Sequence, residues 1–279
     1  MAYTQRTDRA HPSFIMFLLD QSYSMQDKVA GESRTKAQAL ADAVNAVLYE
    51  LILRCIKNTS EGPRHYYDLA VLAYGPQNPH TGTDVGPAWG GNLAGQLVVS
   101  SKDVGNHPIR VEQRPTPDGG MANLPIWFEP MTDGGTSMCA AMNLAGHTIA
   151  DWIQKHPDSF PPVVIHVTDG ESTDGDPRVW AQRLQSLSTS DGNVLVLNLS
   201  LSAESANQVV FPSSESELPK GYPRKMFEMS SVLPSFMIDL AVGQGNGAQQ
   251  GSRGFVHNAD IATVPSFFQI GTATAHLAL

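Results

Sequence analysis

Cysteine is nearly absent from this 279-residue sequence: Cys55 and Cys139 are the only two. They are too few for a disulfide framework and lack Cys-x-x-Cys spacing, so a reducing compartment and a soluble, cytoplasmic protein are expected. Long apolar runs are missing as well. Phe14 to Leu19 is far shorter than the roughly 20 residues of a membrane span, and the polar stretch Met1 to Ser13 does not read as a signal. Basic residues are scarce, 18 Lys and Arg against 27 Asp and Glu, for a net charge of −9 and a pI near 5.4. Such a chain does not attract nucleic acid or an acidic membrane surface; a cation or a basic partner fits better. The nine histidines include no His-Glu-x-x-His and no pair four residues apart, which argues against a zinc hydrolase. No Gly-x-Ser-x-Gly elbow exists for a serine hydrolase. Gly243-Gln244-Gly245-Asn246-Gly247 matches neither the dinucleotide nor the Walker phosphate pattern.

What the sequence does have is a core: 41% of its residues are hydrophobic, enough for one generous domain spanning 1–279 with its core over about 13–272. Phe14 to Leu19 is an unbroken apolar run stopped by Asp20, the pattern of a central parallel strand buried on both faces. Ala37, Leu40, Ala41, Val44, Val47, Leu48, Leu51, Ile52 and Cys55 recur at helical spacing, and Asp68 to Tyr74 reads as a second strand. Between about 75 and 130 the composition turns to Gly, Pro and Asn, an inserted segment near a site. Within it, Leu97–Ser101 and Ile109–Gln113 are expected to pair as a hairpin across Gly105-Asn106. A helix from Met138 to Ile153 follows, then a buried strand Val163–Thr168 and a helix starting at Asp176-Pro177 with Asp as its cap. A strand Val194–Leu201, a short edge strand Gly254–His257 and a closing helix Ile261–Ile270 complete the pattern. Ser202 to Gly251 has no readable periodicity. The order implies an α/β fold, a doubly wound, mostly parallel sheet flanked by helices.

In such sheets ligands bind beyond the carboxyl ends of the strands. Three segments arrive there: Asp20-Gln21-Ser22-Tyr23-Ser24 after the first strand, Gly134-Gly135-Thr136-Ser137 before a helix, and Thr168-Asp169-Gly170 after a buried strand. A two-residue spacing turns Asp20, Ser22 and Ser24 toward one point and sends Gln21 and Tyr23 away. With Thr136 and Asp169 the set is two carboxylates and three hydroxyls, all oxygen, which suits Mg²⁺ or Mn²⁺.

At these residues the chain resembles the von Willebrand factor A domain and its metal-ion-dependent adhesion site. Asp20, Ser22, Ser24, Thr136 and Asp169 meet that family's Asp-x-Ser-x-Ser, Thr and Thr-Asp-Gly positions in order. The resemblance, which covers Phe14 to Ile270, implies a Rossmann-like fold. It also implies serines and a threonine on or near the ion, aspartates acting largely through water, and an Asp or Glu of a protein partner completing the shell. Ser230-Ser231-Val232-Leu233-Pro234 and Arg253 to Asp260 look like compact cytoplasmic bacterial members. Some relatives of that type accompany protein kinases and phosphatases in stress or tellurite-resistance gene clusters. The expectation is a non-enzymatic, metal-dependent binding module. The rival readings are a metal-dependent phosphoester hydrolase, for which the sequence offers no convincing base or second metal cluster, and an adaptor of an AAA-type ATPase complex.

Of the neighbouring groups, Asp133, Glu171 and Trp89 are candidate rim residues for a partner; Glu171 otherwise tunes the charge or is a solvated loop carboxylate. Asp174 reads as a turn residue, His166 as a satisfied core histidine and Cys139 as a buried thiol. Trp89 and Trp127 either present aromatic surface to a partner or cover the sheet edge as a local mini-core.

Overall fold

The computed structural model describes residues 2–29, 32–58, 60–115, 119–201 and 207–274. Its centre is the strand β1 (Ser13–Asp20), every residue of which is buried. β1 pairs in parallel with β2 (Tyr67–Tyr74) on one side and with β7 (Val163–Thr168) on the other. Because side chains alternate along a strand, β1 feeds two cores. Ile15, Phe17 and Leu19 pack under the helix α1 (Lys36–Arg54), whereas Phe14, Met16 and Leu18 pack under α3 (Met138–Lys155). An apolar run with no polar alternation is what a strand covered on both faces requires.

Beyond β2 the sheet ends in β3 (Val85–Pro87) and β4 (Val99–Ser100), both antiparallel to β2. Beyond β7 come β10 (Leu195–Leu201) and β12 (Phe255–Ala259), both parallel. The residues expected to form an edge strand, Gly254–His257, are therefore not at the edge. β11 (Val209–Val210) pairs antiparallel outside β12, at residues within the unreadable stretch. The order β11-β12-β10-β7-β1-β2-β3 makes this an α/β fold, with the switch in winding direction between β1 and β7.

Two further local expectations change. Leu97–Ser101 does not pair with Ile109–Gln113: Val99 and Ser100 join β2, and α2 (Ser101–Asn106) follows, with the Ser100 hydroxyl accepting the Asp103 N–H at 3.1 Å. The hairpin is instead β5 (Arg110–Pro115) against β6 (Met121–Ile126). The helix α4 (Arg178–Ser186) begins one residue late, with Pro177 at the N-cap; Asp176 still accepts the Arg178 N–H at 3.1 Å. A two-strand ribbon, β8 (Ser188–Thr189) and β9 (Gly192–Asn193), leads into β10. The stretch before β12 holds α5 (Tyr222–Glu228) and α6 (Ser235–Gly243), and α7 (Thr263–Gly271) closes the fold over Ile165 and Leu197. Among the described residues no helix is long and apolar enough to cross a membrane.

Candidate metal centre

The β1–β7 switch point brings the distant segments together. Asp20 ends β1 with no solvent exposure; its Oδ1 accepts the Ser22 N–H at 2.8 Å and its Oδ2 accepts the Thr168 hydroxyl at 2.6 Å. Burial is the main cause pushing its pKa up to about 6, against the pull of these hydrogen bonds, and the charge of Asp169 adds to the rise. Ser22 Oγ lies 3.2 Å from Ser24 Oγ, and the Ser24 hydroxyl donates to Asp169 Oδ1 at 2.6 Å. The residues between them turn away as the spacing requires: Gln21 donates from Nε2 to the Glu129 carbonyl at 3.1 Å, and Tyr23 is 63% exposed.

Thr136 arrives from the third segment. Its N–H donates to Thr173 Oγ1 at 3.0 Å and its carbonyl accepts the Thr173 N–H at 3.0 Å, tying the turn before α3 to the loop after β7. The Thr136 hydroxyl faces Gly170, 3.9 Å from where a Cβ there would sit, and the residue is buried. Two glycines permit this approach. A Cβ on Gly134 (φ +67°) would lie 2.1 Å from the Gly75 carbonyl oxygen, and one on Gly75 (φ +125°) 2.7 Å from the backbone of Ser22 and Asp133. Backbone meets backbone here, in conformations that side chains rarely adopt.

The expected rim residues divide. Asp133 is exposed, accepting the Gly134 N–H at 2.7 Å, and Glu171 is exposed with Lys225 Nζ 4.0 Å away. Trp89 is not at the rim. It is 3% exposed, in the α1-side core with Trp127 and Phe128, so the mini-core is the form these aromatics take. Asn45 of α1 secures that mini-core by accepting the N–H groups of Trp127 and Phe128. Exposed apolar surface in the site loops comes from Tyr23 and Met131 instead.

Two residues, Lys36 and Tyr222, carry no signal in the sequence, and Asp174 has a larger role than its turn suggests. Lys36, at the start of α1, is buried and donates from Nζ to Asp169 Oδ2 at 2.8 Å. Asp174 is more than a turn residue: its carboxylate accepts the Cys139 and Ala140 N–H groups at 3.0 and 2.9 Å, capping α3 from another loop. Tyr222, on α5, has a buried hydroxyl without a hydrogen-bond partner. Burial and then Asp20 lead the causes raising its pKa, with Glu171 and Asp169 behind them. A buried carboxylate pair, neighbouring hydroxyls and an orphaned phenol oxygen fit a hard cation with its water. Among the described residues no three His, Cys, Asp or Glu side chains group to hold a metal, so hydroxyls would supply the remaining ligands.

No family model and no curated protein matches the chain. Among solved structures it is similar to a pilus adhesin, SpaC, of Lactobacillus rhamnosus GG, with 11% identity and a TM-score of 0.47 over 95% of this chain and 30% of that one. It is also similar to VWA2, a paralogue of ArnB from Sulfolobus acidocaldarius, with 12% identity and a TM-score of 0.31 over 68% of this chain and 35% of that one. The chain spans about a third of the length of each. The α/β assignment stands on the strand order and register described above.

Proposed function

We propose that this chain is a non-enzymatic, divalent-metal-dependent protein-binding module of the von Willebrand factor A type. Ser22, Ser24 and Thr136 would hold Mg²⁺ or Mn²⁺ through their hydroxyls, with Asp20 and Asp169 supplying the charge. The observation that carries the reading is the 2.6 Å contact between Ser24 Oγ and Asp169 Oδ1, which joins two of the three segments at the switch point. When bound, the ion supplies a Lewis-acidic position that an Asp or Glu of a partner can occupy. The chain's own residues do the rest. Asp20 orients the serine loop through the Ser22 N–H, Thr168 fixes the Asp20 carboxylate, and the Thr136–Thr173 pair holds the third segment in reach. Against the hydrolase reading, the histidine buried in the sheet, His166, has both ring nitrogens engaged, with Tyr74 and Asn198 at 2.8 Å each. A cytoplasmic stress-response or signalling role, with a kinase or phosphatase as partner, belongs to the same proposal.

Calorimetric titration with Mn²⁺ or Mg²⁺ tests it. One saturable site is expected, lost in Asp20→Ala while the circular dichroism spectrum is kept; partner binding should follow the ion and vanish in excess chelator. Unchanged partner affinity in chelator would sink the reading.

A further inference from the structure

Lys36 is a residue that a set of oxygen ligands does not call for. It opens α1, whose start is fixed by a reciprocal cap: Thr35 Oγ1 accepts the Gln38 N–H at 3.2 Å and Gln38 Oε1 accepts the Thr35 N–H at 2.9 Å. The Lys36 N–H donates to the Asp27 carbonyl at 2.9 Å, which pins the helix to the end of the serine loop. The Lys36 side chain, 8% exposed, lies between two carboxylates. Nζ lies 2.8 Å from Asp169 Oδ2 and 3.5 Å from Asp27 Oδ2; the Asp169 side chain is fully buried, whereas that of Asp27 is 59% exposed. Burying an ammonium is costly unless a carboxylate answers it, so Lys36 and Asp169 depend on each other.

Asp20 and Asp169 together match the charge of a divalent ion, which by itself favours a carboxylate guest. The buried Lys36 charge adds one more positive charge beside that ion, where water screens it poorly; the Asp27 carboxylate that opposes it at 3.5 Å is exposed to solvent and screened by it.

We propose that Lys36 is a built-in counter-cation of this cluster, holding Asp169 toward Ser24 before an ion binds and strengthening the loaded site's preference for an anionic partner group over a neutral one. The inference rests on the metal reading above. By linkage, a carboxylate that binds the loaded site tightens the ion by the same factor.

Electron paramagnetic resonance of free Mn²⁺ tests this on the full chain, in the wild type, Lys36→Arg, Lys36→Gln and Lys36→Met, with acetate or neutral acetamide as the probe. Wild type and Lys36→Arg should bind Mn²⁺ several-fold more tightly with acetate and show no response to acetamide. Lys36→Gln, which keeps a donor for Asp169, and Lys36→Met should bind Mn²⁺ alone about tenfold more tightly and show a clearly smaller acetate response. Should Lys36→Met fail to fold by circular dichroism, Lys36→Gln carries the comparison. Equal Mn²⁺ affinity and an equal acetate effect in all four chains overturn the inference and leave the metal reading standing. An absence of saturable Mn²⁺ binding in all four overturns both.

Discussion

Ser24 and Asp169 stand 145 positions apart in the chain and share a 2.6 Å hydrogen bond, so single side chains decide whether the centre exists. His166 shows how the same sheet accommodates a polar residue that has no part in the site. Asn198 Oδ1 can only accept, so His166 Nδ1 carries the proton, and Nε2 is left to accept from the Tyr74 hydroxyl. Asn198 then donates to Ser230 Oγ, which donates to the Met226 carbonyl, completing the chain of bonds. Burial lowers the His166 pKa from 6.5 to about 4. An unfolded chain takes up this proton near pH 6.5 and the folded one resists until about pH 4, so the residue's contribution is full above 6.5 and lost as pH falls toward 4. In urea unfolding with chelator present, the stability difference between wild type and His166→Gln should drop by about 3 kcal/mol across that window. A difference that stays flat with pH would contradict the buried neutral histidine. At this scale the sequence was informative where a residue's role is local: the strand ends name Asp20 and Asp169, and the Gly-Gly-Thr turn names Thr136. Lys36, Asp174 and Tyr222 act across space from other elements, and no local pattern around them marks that action.

The elements meet at the centre through backbone, and two substitutions test that arrangement. Gly134→Ala would drive a Cβ to 2.1 Å from the Gly75 carbonyl oxygen at a positive φ. The expected result is a loss of roughly 1–3 kcal/mol in urea unfolding together with weakened Mn²⁺ binding; wild-type behaviour in both would contradict the packing. Asp174→Ala removes the cap from α3, where the N-cap residue Ser137 makes no cap bond of its own because its hydroxyl donates to Asp84. That variant should lose about 1–2 kcal/mol, and a change too small to measure would show that water replaces the carboxylate. The elements also explain which parts of the fold were legible. β1, β2, β7 and β10 are buried along their whole length, so burial writes them into the sequence as apolar runs. The pieces near Gly105-Asn106 had no such constraint. The Ser101 hydroxyl is used by the Tyr66 and Tyr67 N–H groups, and Gly105-Asn106 closes a one-and-a-half-turn helix rather than a hairpin. β6 has an apolar composition but is exposed over its first half, so no alternation marks the β5–β6 pair; Arg110 and Arg114 of β5 meet Glu112 on their own strand, Glu129 beyond β6 and Asp42 on α1, information spread over several elements.

For the whole molecule, the sheet's winding explains why the centre lies where it does. The chain leaves β1 toward β2 on one side and returns to β7 on the other, so the loops after β1 and β7 come from oppositely wound halves and meet above Asp20 through the Ser24–Asp169 bond. α1 and α3 cover opposite faces, and each begins beside that junction, one supplying Lys36 and the other following Thr136. Part of the Gly- and Pro-rich segment from 75 to 130 belongs to the sheet itself through β3 and β4, and its end touches the loop after β1, where the Glu129 carbonyl accepts from Gln21 Nε2. The most direct test of the account is anomalous diffraction from crystals of this chain grown with Mn²⁺. The account requires one strong peak within bonding distance of Ser22 Oγ, Ser24 Oγ and Thr136 Oγ1, with Asp20 and Asp169 around it. A map with no peak there, or with its only peak among Asp174, Asp176 and Glu171, would contradict it.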